Sequence, residues 1–273
     1  MFELLGYNFV QLAVLTVLIL AGIHAYMGYH VVSRGVIFVD LSLAQVSALG
    51  ATIAFCVGVR APIPTYVISL LFTLAGALVI SIARTRDDRV PPEAFIGILY
   101  AAAGSIPLLL LSHHPEGGEM LHHMIAGSLL TVSPHELVKI TVLYAVIGLF
   151  FYRYRERFNL ISTDRMAAAA RGWNLVWWDF LFYAAFAVVV TSSVAVAGVL
   201  LVFSLLVIPP VCALLVTPGP HRRLAVGWVI AGTGSLIGIL ASVTWDLPAG
   251  PTVITALAGV LVVTAAARRL ARR

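Results

Sequence analysis

Apolar stretches dominate the chain and recur at about 9–29, 36–58, 62–83, 94–112, 136–152, 179–197, 199–217, 224–244 and 250–267. Each is close to the roughly 20 residues that a helix needs to cross the hydrocarbon of a bilayer. Backbone in lipid must satisfy its own hydrogen bonds, so every run is read as a helix. The second run has a polar entry, with Ser33-Arg34-Gly35 and Asp40 at its start. The sixth and seventh are separated by little more than Gly198, which fits a tight hairpin or one broken unit. Eight and nine crossings therefore both stand. Pro107 interrupts the fourth run and Pro209-Pro210 the seventh, breaks that suit helices lining a pathway. No internal repeat is evident.

Composition narrows the class. Of 273 residues, 61% are hydrophobic and 11% charged, where soluble domains carry about 25% charged. A cytosolic enzyme, a disordered regulator and a nucleic-acid module are excluded. The pattern predicts an all-α polytopic membrane protein of 8–9 transmembrane helices, one transmembrane domain over 1–273 with almost no room for a soluble one. The net charge of +5 is an orientation signal. With nine spans and the N-terminus outside, fifteen of the seventeen basic residues fall in inner loops and the tail, leaving only Arg60 and Lys139 outside. The C-terminus is thus expected in the cytoplasm. Met1-Phe2-Glu3 offers no basic leader, so the first run is expected to be a retained span. Cys56 and Cys212 sit inside apolar runs and suggest neither a disulfide framework nor a thiolate metal site.

Two loops are longer than a turn requires. The outer segment 113–135 has no Lys or Arg but carries His113, His114, Glu116, Glu119, His122, His123 and His135. Imidazole and carboxylate together suit zinc, manganese or iron, so this segment is a candidate capture surface for a divalent metal. If His122 and His123 open a helix, Glu119 lies one turn before both. The inner segment 153–178 contains the Ala-rich stretch Asp164–Arg171, expected as a short surface helix with Ser162 or Thr163 as its N-cap.

Within the spans, Asp40 is read as the one carboxylate near the start of a buried run, and a charge at such depth points to function. Gln45 and Ser47 follow it. At 100° per residue Ser47 shares the Asp40 face, whereas Gln45 lies ~140° away. Interhelical hydrogen bonding or a capped helix start would also account for them. His24, alone in the first span, reads as a packing or interface histidine. No GxxxxGK[ST] loop occurs, so ATP hydrolysis by a P-loop is excluded. Gly234 and Gly238 fit close helix packing better than a nucleotide loop. His135-Glu136-Leu-Val-Lys139 misses the zinc-protease HExxH because Lys139 stands at the second ligand position, and it reads as a helix start capped through Ser133 and Pro134. Asp246-Leu-Pro248-Ala-Gly250-Pro251 is a rigid turn in which Asp246 could cap the last span.

Several of these pieces have a family likeness. Asp164, Ala168 and Gly172 reproduce the spacing of a Phe-Asp-x-x-x-Ala-x-x-x-Gly pattern, with Thr163 in place of the Phe. Val196-Ala-Gly198-Val-Leu-Leu-Val-Phe-Ser204-Leu-Leu-Val-Ile-Pro209, the Asp246–Pro251 turn, Gly97-Ile-Leu and Ile125-Ala-Gly127-Ser-Leu-Leu follow in order. Over nearly its whole length the chain resembles the membrane subunit of metal-uptake ABC transporters, the zinc/manganese-type (ABC-3) permeases. The second span of that family reads Gly-Asp-Ala-Leu-Ser-His-x-x-x-Pro-Gly, and its Asp and His face the metal. Here Leu41 stands at the Asp position, Gln45 at the His and Ala48 at the Pro, while Asp40 occupies the neighbouring Gly position. An amide oxygen is a harder and weaker ligand than imidazole, so a chelate such as a haem or siderophore stays open beside a bare ion.

The resemblance implies a non-enzymatic permease in a bacterial or archaeal cytoplasmic membrane, working as a homodimer. Cytoplasmic ABC ATPase subunits would dock at Thr163, Asp164, Ala168 and Gly172, and an extracytoplasmic metal-binding protein would deliver zinc or manganese as cargo. No permanent cofactor and no nucleic-acid partner are implied. Asp40, Gln45 and Ser47 are the candidate transit site, and His113, His114, Glu119, His122 and His123 the candidate outer capture site. A channel or secondary carrier is the reading from another class, but it would show several intramembrane carboxylates or internal halves.

Overall fold

The computed structural model describes residues 6–86, 91–127 and 129–271, and no strand occurs among them. Eleven helices follow one another: α1 (Asn8–Ser33), α2 (Val39–Cys56), α3 (Pro62–Arg86), α4 (Pro92–Leu111), α5 (Gly117–Ala126), α6 (Pro134–Arg153), α7 (Arg155–Thr163), α8 (Arg165–Ala170), α9 (Leu175–Val216), α10 (Pro220–Trp245) and α11 (Ala249–Ala271). Among the described residues eight are long and apolar enough to cross a membrane, namely α1–α4, α6 and α9–α11. They coincide with the apolar runs to within a few residues.

The ambiguous count has a physical origin. A straight helix as long as α9, 42 residues, would extend about 63 Å, roughly twice the hydrocarbon thickness. Gly198 breaks it, with φ 75° and ψ 162°, leaving 175–197 and 199–216 as two lengths of about one crossing each. Only glycine adopts that conformation cheaply. Gly127, itself at φ 70°, packs on the break, and a Cβ there would overlap the Ala197 carbonyl. The two separate motifs around Gly127 and Gly198 thus meet.

The chain divides into two compact units. The first comprises Met1–Val32, Ala126–Gly148 and Val196–Arg273. In it Pro209 and Pro210 remove two N–H groups from α9, freeing the Leu205 and Leu206 carbonyls. Gly28 of α1 seats against the Leu206 carbonyl and the Pro210 ring, where no side chain would fit. Gly234 and Gly238 of α10 do the same beneath Leu257 and Val253 of α11, so their packing role holds. Ser133 and Glu136 open α6 as a reciprocal capping box: Ser133 N–H and Oγ–H both donate to Glu136 Oε2 at 2.9 Å, and Glu136 N–H donates to Ser133 Oγ at 3.3 Å. The expected role of Asp246 is corrected. It terminates α10 in the left-handed region at φ 52° instead of capping α11, a conformation Asp tolerates better than most residues.

The second unit comprises Ser33–Ile125 and Leu149–Ala195. Here α2 packs against α3 and α4. A Cβ on Gly50 would lie 2.7 Å from Ser69 Cα, and one on Gly76 would lie 3.3 Å from Leu43 and Val46. Thr191 of α9 donates to Thr73 of α3 at 3.0 Å, a buried hydroxyl pair. The segment 153–178 holds a second helix, α7, beside the expected one. α7 buries Phe158, Ile161 and Ser162, three positions at helical spacing. Phe158 sits 4.9 Å from the Phe151 ring and 5.6 Å from Trp178, which pins α7 between the end of α6 and the start of α9.

Candidate functional site

Asp40 lies in the first turn of α2, where the partial positive charge of the helix end favours a carboxylate. It is 0% exposed, and neither carboxylate oxygen has a hydrogen-bond partner among the described residues. An ionised carboxylate held this way costs several kcal/mol, and a buried polar group without a partner calls for an explanation.

Its companions do not converge on it. α2 is one continuous helix, so Ser47 lies on the Asp40 face but two turns on, about 10 Å along the axis. Ser47 is buried. Gln45 is half-buried and faces α4, its amide 3.6 Å from where a Cβ on Gly104 would stand. Leu43, Val46 and Gly50 take the α3 side. Asp40 and Ser47 are left on a third side of the helix, away from Gln45.

The outer segment folds as a turn followed by α5. His122 and His123 fall in the middle of α5 and not at its start, three and four residues after Glu119; their side chains lie outside the described residues. His113 is exposed, with its ring Nδ1 2.9 Å from Ser112 Oγ. His114 stands edge-on to Phe55 at 5.7 Å, and Glu116 is taken by Arg60 at 2.7 Å. Glu119 is exposed. Among the described residues no group of three His, Cys, Asp or Glu is placed to hold a metal. His24 is buried, and its Nδ1–H donates to the Leu20 carbonyl at 2.7 Å, as suits a packing histidine.

The inner motif is resolved as α8. Asp164 is its N-cap, accepting the Ala167 N–H at 2.9 Å. This corrects the expected cap, because Thr163 ends α7 with its hydroxyl donating to Asn159 O and Ser162 is turned inward. Ala168 is buried, whereas Met166 projects with 85% exposure. Gly172 follows α8 at φ 72°, its N–H bonded to Ala169 O at 2.9 Å, and a Cβ there would meet nothing within 4 Å. Its glycine is demanded by backbone conformation and not by space.

Behind α8 lies a cluster that the sequence reading missed. Arg34, counted there only as an orientation charge, has a fully buried side chain. Its Nη1 donates to Asp179 Oδ1 at 2.8 Å, its Nε donates to Ser162 Oγ at 2.9 Å, and its guanidinium lies 3.9 Å over the Phe182 ring. Arg165, the first residue of α8, donates to the other Asp179 oxygen at 2.6 Å. Asp40 is therefore not alone, because Asp179 is a second buried carboxylate near the start of an apolar helix. The Asp179 carboxylate ties the turn before α2 and the start of α8 to the start of α9, and Arg34 adds the end of α7. The available signal was a charged residue five positions into α9, at the edge of the most apolar run in the chain.

Comparison with known proteins settles the family. The model of the ABC 3 transport family matches residues 6–268. The chain belongs to that family. It is 25% identical over 256 residues to the manganese transport system membrane protein MntC of Halalkalibacterium halodurans, covering 92% of this chain and 85% of that one. It is also 25% identical over 244 residues to the zinc transport system membrane protein TroC of Treponema pallidum, covering 86% and 80%. The fold matches that of PsaBC from Streptococcus pneumoniae in complex with Fab, with a TM-score of 0.80 at 17% identity, over 94% of this chain and 91% of that one.

Proposed function

We propose that this ABC 3 family member is the membrane permease of an ATP-driven importer for a divalent metal, zinc or manganese. The observation that carries the proposal is Asp40, a carboxylate buried in a membrane-spanning helix with both oxygens unpartnered among the described residues. A carboxylate in that state gains stability by binding a cation, and a transit site has to be weak enough to release it again. Two copies pair, each with a cytoplasmic ATPase seated on α8 through the surface around Asp164, Ala168 and Gly172, and the C-terminus faces the cytoplasm. An extracytoplasmic binding protein delivers the ion to the outer side, where His113 and Glu119 are exposed. The names of the relatives, manganese for one and zinc for another, support the cargo class.

The test is metal-by-metal uptake with the full set of subunits, in cells lacking their own zinc and manganese importers. Zinc or manganese should accumulate only when the ATPase is active. Accumulation that persists with an inactive ATPase would make the chain a channel or carrier. Uptake of a metal chelate in place of either free ion would overturn the cargo assignment.

A further inference from the structure

The junction of α6 and α7 carries an open cavity of about 780 Å³ lined by Leu149, Tyr152 and the run Arg153–Arg157. None of the three arginines has a carboxylate within ion-pair distance among the described residues, Glu156 included. Aromatic faces hold them instead. Arg155 lies 4.6 Å over Tyr152, Arg153 lies 5.4 Å over Tyr154, and Arg157 lies 4.7 Å over Trp178. Stacking fixes the plane of a guanidinium while leaving its in-plane N–H donors free, and such a fork matches a phosphate bidentately. The same cavity receives the N-terminus of the nine-residue α7, whose N-cap Tyr154 supplies no side-chain acceptor. The Arg157 N–H of its first turn is bonded to Tyr154 O at 3.0 Å, so only the Arg155 and Glu156 amides could add to the arginine donors.

The position of the cavity selects the anion. It lies at the end of α6, one of the membrane-spanning helices, and Leu149 and Tyr152 of the last turns are 67% and 65% exposed. An apolar helix face running into a basic pocket lined by Tyr152 and Tyr154, with Trp178 stacked on Arg157, is the arrangement met at the level of lipid headgroups.

We propose that the Arg153–Arg155–Arg157 pocket binds the phosphate headgroup of an anionic phospholipid, whose acyl chains lie along Leu149 and Tyr152. The phosphate chemistry would equally suit a soluble phosphate, so the test separates the two sources. The delipidated full chain is titrated with phosphatidylglycerol or phosphatidylcholine, with bound lipid counted by native mass spectrometry. Phosphatidylglycerol should bind at least tenfold more tightly. The Arg153→Gln/Arg155→Gln variant should lose most of that preference, whereas Arg268→Gln/Arg269→Gln, which removes the same charge from α11, should keep it. Equal binding of the two lipids by the unaltered protein would overturn the proposal, whatever the variants do. So would equal losses in the two double variants, or displacement of the lipid by inorganic phosphate at matching concentration. If the pocket variant keeps its lipid preference but no longer co-purifies with the ATPase, the surface is a docking site for that partner and the proposal fails.

Discussion

Asp40 and Asp179 both lie near the start of an apolar helix and both are 0% exposed, yet their surroundings are opposite. Asp179 is held by two guanidiniums, one on each oxygen. Asp40 has no partner among the described residues. In an apolar interior a carboxylate with fixed counter-charges is a structural tie, and removing it strands the cations that it neutralised. A carboxylate without them is a cost to the resting fold, and under the proposed function an arriving cation would offset it. Burial alone does not separate the two roles. The partners do.

The contrast breaks first at Asp179. Asp179→Asn takes the carboxylate charge from beside the buried Arg34, and losing one side of a buried pair costs about 3–5 kcal/mol. The thermal unfolding midpoint of the purified full chain should fall by on the order of 10 °C. Asp179→Asn/Arg34→Gln should recover part of the loss, because the stranded charge is gone. A midpoint unchanged in the single variant would show that the cluster bears no load.

Asp40→Asn should act in the reverse sense. Its unfolding midpoint should stay level or rise, since the variant removes a buried carboxylate that has no partner among the described residues, while metal uptake at limiting concentration should fall at least tenfold, about 1.4 kcal/mol. Normal uptake would remove Asp40 from the pathway. A midpoint falling as far as that of Asp179→Asn would place both carboxylates among the structural ties.

The smallest effect sharpens how α8 is held. Gly172→Ala should cost about 1 kcal/mol through the left-handed backbone alone, because the position is open to a side chain. Gly172→Asn should cost less, as Asn enters that region more readily. If both variants keep their midpoints but lose ATPase co-purification equally, the surface at Gly172 is read by the partner directly.

The spans were legible because a chain in lipid must advertise them. Twenty apolar residues in a row admit few alternatives, and the capping box at Ser133–Glu136 and the glycines of α10 follow from local rules. α8 was legible from its Ala run, although not its cap, since Ser162, Thr163 and Asp164 are all competent and only the ending of α7 decides among them. α7 itself was obscured by its arginines, which gave Arg155–Thr163 a polar composition over a three-residue buried stripe. The Arg34–Asp179 tie was invisible for a different reason. Its members are 145 residues apart, and a paired charge looks in sequence like any other charge. The separation of Gln45 from Asp40 was computable from helix geometry alone, but which side faced α4 was not.

Asp164 is shared by two helices at once. Its N–H closes α7 on Leu160 O at 2.8 Å, and its carboxylate opens α8 on Ala167 N–H at 2.9 Å. No spacer separates the two, so the joint has no slack to absorb a displacement. Ser162, two residues before this joint, accepts from Arg34, which lies six residues before Asp40. α8 and the entrance of α2 are thus joined by an unbroken chain of bonds, in which Asp164 closes one helix and opens the next.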